Sequence, residues 1–133
     1  MATALRPLQS AIYARLTASA PLMALVSGVY DEVPENAAFP YVSFGSITET
    51  LDDAHDRQGL EAMVVIHVWS KAPGMGEAYD VFAAVDAALD RVPLAVFGFT
   101  DVSIRHESHE ALKDPDPEIR HINAQYGVRL TAA

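Results

Sequence analysis

Leu5, Leu8, Ile12 and Leu16 recur at intervals of three or four residues, with Ala4, Ala11, Ala14 and Ala18 between them, which predicts an amphipathic helix over residues 3–18. Ser19 or Ala20 followed by Pro21 reads as the start of a short second helix that Gly28 ends. Its apolar face is too small to stand alone, so the two helices are expected to pack together on a sheet. Val29-Tyr30 is a candidate short extended segment, and residues 31–39, with Pro34 and Asn36, read as a surface loop. From Tyr41 to Leu51 the chain alternates with β-branched and aromatic residues, a strand in which Gly45 marks a bulge or a close backbone approach. Residues 52–59 are polar and predict a hairpin loop or arm. Leu60 to Ser70 alternates with apolar residues on both sides, as a central strand does. Beyond the break at Lys71-Ala72-Pro73-Gly74, the spacing of Ala78, Val81, Phe82, Val85 and Leu89 predicts a helix over residues 75–91, which Pro93 ends. Residues 100–111 and 122–130 alternate again and predict an antiparallel hairpin, linked by the acidic, proline-stiffened turn Lys113-Asp114-Pro115-Asp116-Pro117-Glu118. The expected fold class is therefore α+β: an antiparallel sheet of about four main strands packed against two main helices, in the order α-α-β-β-α-β-β, as one domain over residues 1–133.

Composition narrows the classes. With 133 residues, 50% of them apolar and 20% charged, the chain has the make-up of a single globular domain and buries roughly two thirds of its unfolded surface. It has no cysteine, so no disulfide or thiolate site exists. Arg6 and Pro7 interrupt the apolar core that a secretory signal needs, and no run reaches the ~18 apolar residues of a membrane span, so a soluble cytoplasmic protein is expected. Eighteen acidic residues against nine basic ones give a net charge of −9, and the basic residues are scattered. Binding to DNA needs clustered cations facing phosphates; an acidic surface repels it.

Candidate chemistry is sparse. His106 and His109 lie three apart on a strand, which places them on opposite faces and denies them a common metal ion. Asp52, Asp53, His55 and Asp56 are suitable ligand types, but their spacing fits no calcium loop, and a solvated loop or interface arm is the expectation. His67 beside Trp69, and Glu107 with His109, are the only starting points for acid–base catalysis, and each reads more simply as sheet surface beneath a helix or another subunit. Trp69 is expected in the core under the second long helix. No phosphate loop, serine elbow or zinc-helix motif occurs. No catalytic residue, metal or cofactor is expected, and a small metal- or ligand-binding protein is the weaker alternative.

Val29-Tyr30-Asp31-Glu32-Val33-Pro34, then Phe39-Pro40-Tyr41-Val42, then Ile66-His67-Val68-Trp69-Ser70 ahead of the second long helix, and finally Asp114-Pro115-Asp116 ahead of His121 give the chain a recognisable set of landmarks. In that order and spacing it resembles the tail-completion or tail-terminator proteins of long-tailed phages and gene transfer agents. The resemblance implies a subunit assembled in the cytoplasm and then carried in the particle. Such a subunit would form a ring with copies of itself, by analogy hexameric, that caps the tail-tube protein, stops its polymerisation and joins it to the head connector. DNA would pass through the lumen without sequence-specific binding, and no membrane is involved. A head-side stopper or adaptor is the alternative within the same resemblance. The candidate contact residues are Asp52, Asp53, His55, Asp56 and Arg57 in the arm, and Lys113, Asp114, Asp116 and Glu118 in the turn.

Overall fold

In the computed structural model, which describes residues 3–53 and 57–133, the N-terminal spacing forms α1 (Leu5–Thr17), burying Leu8, Ile12 and Leu16. Ser19 caps α2 (Ala20–Met23) by accepting the Leu22 N–H at 3.3 Å, with Pro21 in the first turn. This helix stops well short of Gly28. The Ser27 N–H donates to the Pro40 carbonyl and the Val42 N–H donates to the Gly28 carbonyl, which draws the chain out of the helix into the strand β1 (Val29–Tyr30).

The four long strands follow as expected: β2 (Tyr41–Leu51), β3 (Gly59–Ser70), β4 (Phe99–Lys113) and β5 (Arg120–Ala132). The spatial order is β1-β2-β3-β5-β4. All long neighbours are antiparallel, but β1 runs parallel to β2, so the sheet is five-stranded and mixed where an antiparallel one was expected. The α+β class stands, and two residues suffice to make the sheet mixed, because the parallel pairing at its edge involves only the registers Val29↔Val42 and Tyr30↔Ser43. The register shift between Phe44 and Ile47 puts a bulge where Gly45 suggested one.

Period-2 alternation on β3 and β5 sends Leu60, Ala62, Val64, Ile66 and Val68, with Ile122, Ala124, Tyr126, Val128 and Leu130, to one side of the sheet. There they meet α1 and α3 (Gly76–Leu89), whose Ala78, Val81, Val85, Ala88 and Leu89 complete the core. Two polar ties lock α3 in place. The buried Tyr126 hydroxyl donates to Asp86 Oδ1 at 2.9 Å, and burial together with the Asp86 charge pushes its pKa far up. Past the helix end, Asp90 Oδ1 accepts the His106 N–H at 2.8 Å and the Arg91 N–H donates to the Ile104 carbonyl, which caps part of the β4 edge.

The twelve residues of β3 span roughly 40 Å at ~3.3 Å per residue. The antiparallel order puts the β2–β3 connection at one end of the sheet, beside the start of β4, and the β4–β5 turn at the other.

Ile66 is fully buried at the centre, opposite Phe44 and Ala124. Ile66→Ala should lower unfolding free energy by about 2–5 kcal/mol in a urea titration, the cost of lost transfer energy plus a cavity. A loss below about 1 kcal/mol would mean that the helices do not close over this row.

Candidate interface surfaces

Alternation sends the other half of each strand to a face that no helix covers. Tyr41, Ser43, Met63, Val65, His67, Trp69, His121, Asn123 and Gln125 lie there. Trp69 is among them, not in the core as expected, because its neighbours Val68 and Ser70 take the helix side. Its indole stacks on the His121 ring at 3.9 Å and 4° and donates from Nε1 to Ser43 Oγ at 3.0 Å. His67 Nδ1 and His121 Nε2 are 2.7 Å apart, so the two imidazoles share one hydrogen bond. Burial lowers the pKa of both; for His121 the neighbouring His67 lowers it further, while Asp114 pulls the other way. The Asn123 Oδ1 atom is buried here and, among the described residues, has no hydrogen-bond partner.

A second histidine pair departs from the sequence reading. A bulge between His106 and Ser108 resets the alternation, so His106 and His109 face the same side, with Nε2 and Nδ1 3.0 Å apart and both rings against Phe82. Glu107 is thereby turned away from His109. It lies over Gly127, where a side chain would put its Cβ 2.6 Å from Glu107 Oε1, and Arg105 reaches it at 3.4 Å. Among the described residues, no group of three or more His, Cys, Asp or Glu is placed to hold a metal ion, and no helix is long and apolar enough to cross a membrane.

The sequence-predicted contact residues divide between the two ends of the sheet. At one end Asp52 and Asp53 are exposed; Asp53 Oδ1 accepts the Gly59 N–H at 3.1 Å and the Asp52 N–H donates to the Gly59 carbonyl, closing the base of the arm. Arg57 pairs with Asp101 at 3.4 Å, exposed to solvent. His55 and Asp56 lie outside the described residues. At the other end the turn is stiff: Asp114 Oδ1 accepts the Asp116 N–H, Asp116 Oδ1 accepts the Glu118 N–H, and Arg120 donates to the Pro117 carbonyl at 2.7 Å. Lys113, Asp116 and Glu118 are exposed and Asp114 is partly so. Phe97 was missed by the sequence reading. It stands 91% exposed on the loop before β4, held out by a Phe99 N–H to Val96 carbonyl bond and by Gly98 at φ 86°. Its neighbours Leu94, Val96 and Phe99 are equally apolar, so hydropathy alone could not single it out.

Comparison with known families matches residues 10–131 to the model of the tail completion protein gp17 family. The chain belongs to that family. Two solved structures are similar: a chain from the virion of a native gene transfer agent particle (29% identical, TM-score 0.85, covering 94% of this chain and 95% of that one), and the gp17 protein of bacteriophage SPP1 (27% identical, TM-score 0.61, covering 96% and 90%). Comparison with curated proteins gives no match. The tail completion protein gp17 family is a structural family, not a class of enzymes. Of the segments that carried the resemblance, Tyr41 and Trp69 lie on the helix-free face, their rings stacked 6.4 Å apart.

The His67–His121 pair makes stability depend on pH. Because both folded pKa values lie below the unfolded ~6.5, the unfolded chain binds more protons just below that pH, and stability falls as the solution is acidified through it. Melting temperatures should decline from pH 7 toward pH 5. His121→Gln should flatten that decline, and an unchanged slope in this variant would place the pH dependence elsewhere.

Proposed function

We propose that the chain closes into a ring, by analogy hexameric, at the head-proximal end of a tail, where it caps the tube, stops its growth and meets the head connector. The observation that carries this reading is the end-to-end likeness to a chain of a gene transfer agent particle, at TM-score 0.85 over 94% of the sequence. The position of the two loops supports it. Asp52, Asp53 and Arg57 lie at one end of the sheet and the turn at 114–118 at the other, so one subunit offers different surfaces to different neighbours. A net charge of −9 suits a channel through which DNA must slide without binding. In this reading the chain assembles in the cytoplasm and remains in the particle.

A ring needs two different surfaces that fit each other and a rotation that closes. Purified protein, examined by sedimentation velocity and negative-stain microscopy with and without tail tubes, should give annular oligomers and capped tubes of fixed length. A chain that stays monomeric and leaves tube growth unaffected would overturn the proposal. Labelling the subunit in whole particles separates the terminator station from a head-side stopper or adaptor.

A further inference from the structure

The shallow groove beside the start of β4, about 680 Å³ in volume, carries a local excess of positive charge in an otherwise acidic chain. Arg91, Arg105 and Arg129 line it, with Glu61 and Glu107. Glu107 is already engaged by Arg105 at 3.4 Å. Arg91 is 77% exposed and only 3.9 Å from Asp90, and Arg129 has no ion-pair partner among the described residues. Arg91, paired loosely with Asp90, and Arg129 thus line a groove in which Glu61 is the one carboxylate without an ion-pair partner among the described residues. Guanidinium forks take carboxylates in a bidentate fashion, so the ligand class is an acidic segment of limited width.

Such a segment exists on this chain. The turn bears Asp114, Asp116 and Glu118 against Lys113, and its two prolines and side chain–backbone bonds fix its shape before any contact, which lowers the ordering cost of docking. It cannot reach the groove of its own molecule. Arg129 pairs across the sheet with Glu61 and Ser103 near one end, whereas the turn follows Lys113 and precedes Arg120 at the other; Arg120 and Arg129 are roughly 30 Å apart along β5.

We infer that the acidic turn of one copy docks into the arginine groove of a second copy, supplying the head-to-tail contact from which the ring is built. This rests on the ring reading above and adds the identity of the two surfaces. Turn and groove are different patches, so the contact is heterologous and repeats around a closed ring. It is also electrostatic, and therefore weakens as salt is raised.

A charge-reversal experiment tests the contact. One full-length variant carries Asp114→Lys, Asp116→Lys and Glu118→Lys; another carries Arg91→Glu and Arg129→Glu. By sedimentation velocity at low salt, each alone should self-associate at least about tenfold more weakly than the parent chain, and an equimolar mixture should regain annular oligomers, because each variant's turn then meets the other's groove with opposite charge. Circular dichroism checks that each is folded. Should the lysine turn distort, the set Asp114→Asn, Asp116→Asn and Glu118→Gln keeps the turn's acceptor oxygens and must still weaken assembly. If the parent forms rings and both reversed variants form them equally well, or the mixture fails to recover, the turn-in-groove contact is wrong while the ring stands. A parent chain that forms no ring, alone or on tubes, removes both.

Discussion

Helices reach only one face of the sheet, and that one-sidedness governs how every other part of the molecule is arranged. On the covered side, β3 and β5 present uninterrupted apolar rows and α1 and α3 seal them from water. Burial of this kind stabilises by roughly 25 cal/mol for each Å² of apolar surface removed. The uncovered side holds Met63, Val65 and Trp69, which have no helix to bury them, and Trp69 finds its partners within the sheet. Trp69 lies flat on His121, His121 bonds His67, and the indole N–H bonds Ser43. Three strands are stitched together across their surface by these contacts, giving a face that is cross-braced and part apolar, as suits a surface that meets protein.

Edges are the second constraint that a sheet of this kind must meet, since an unpaired strand invites addition of another chain. Each edge is partly closed. On β2, the strand β1 occupies Val42 and Ser43, and the segment before α1 reaches Glu49 through the Thr3 hydroxyl and the Ala4 N–H. On β4, the bonds from Asp90 and Arg91 occupy the backbone at His106 and Ile104. These closures use the chain just outside the helices, so the helix ends and the sheet edges are stabilised by the same residues.

The sequence was most legible where periodicity was unbroken. Leu8, Ile12 and Leu16 on α1, and the alternating rows of β3 and β5, lie on the faces their spacing predicts, because packing against a single layer leaves one choice of face. It failed where one residue changes the count. The bulge after His106 turns two histidines that alternation would separate into a stacked pair, and a bulge has no hydropathy signature of its own. Trp69 was misplaced because both rows of β3 are apolar, so hydrophobicity could not say which row the helices cover; the polar Ser70, buried against Glu77 at 2.8 Å, was the better clue to the inner row. The acidic turn was recognisable from its prolines, whereas the groove draws Arg91 from a loop and Arg105 and Arg129 from two strands, a grouping that only the register creates.

The direction of the long strands has a mechanical consequence. β3, β4 and β5 each run from the end that carries the base of the arm to the end that carries the turn, β4 with two bulges on the way. Force applied between those ends is carried along covalent backbone, with the interstrand hydrogen bonds loaded together in shear, not opened one at a time. Whatever holds one end of the subunit is therefore connected to whatever holds the other by a stiff strut, and the helices, lying to one side, are spared the load.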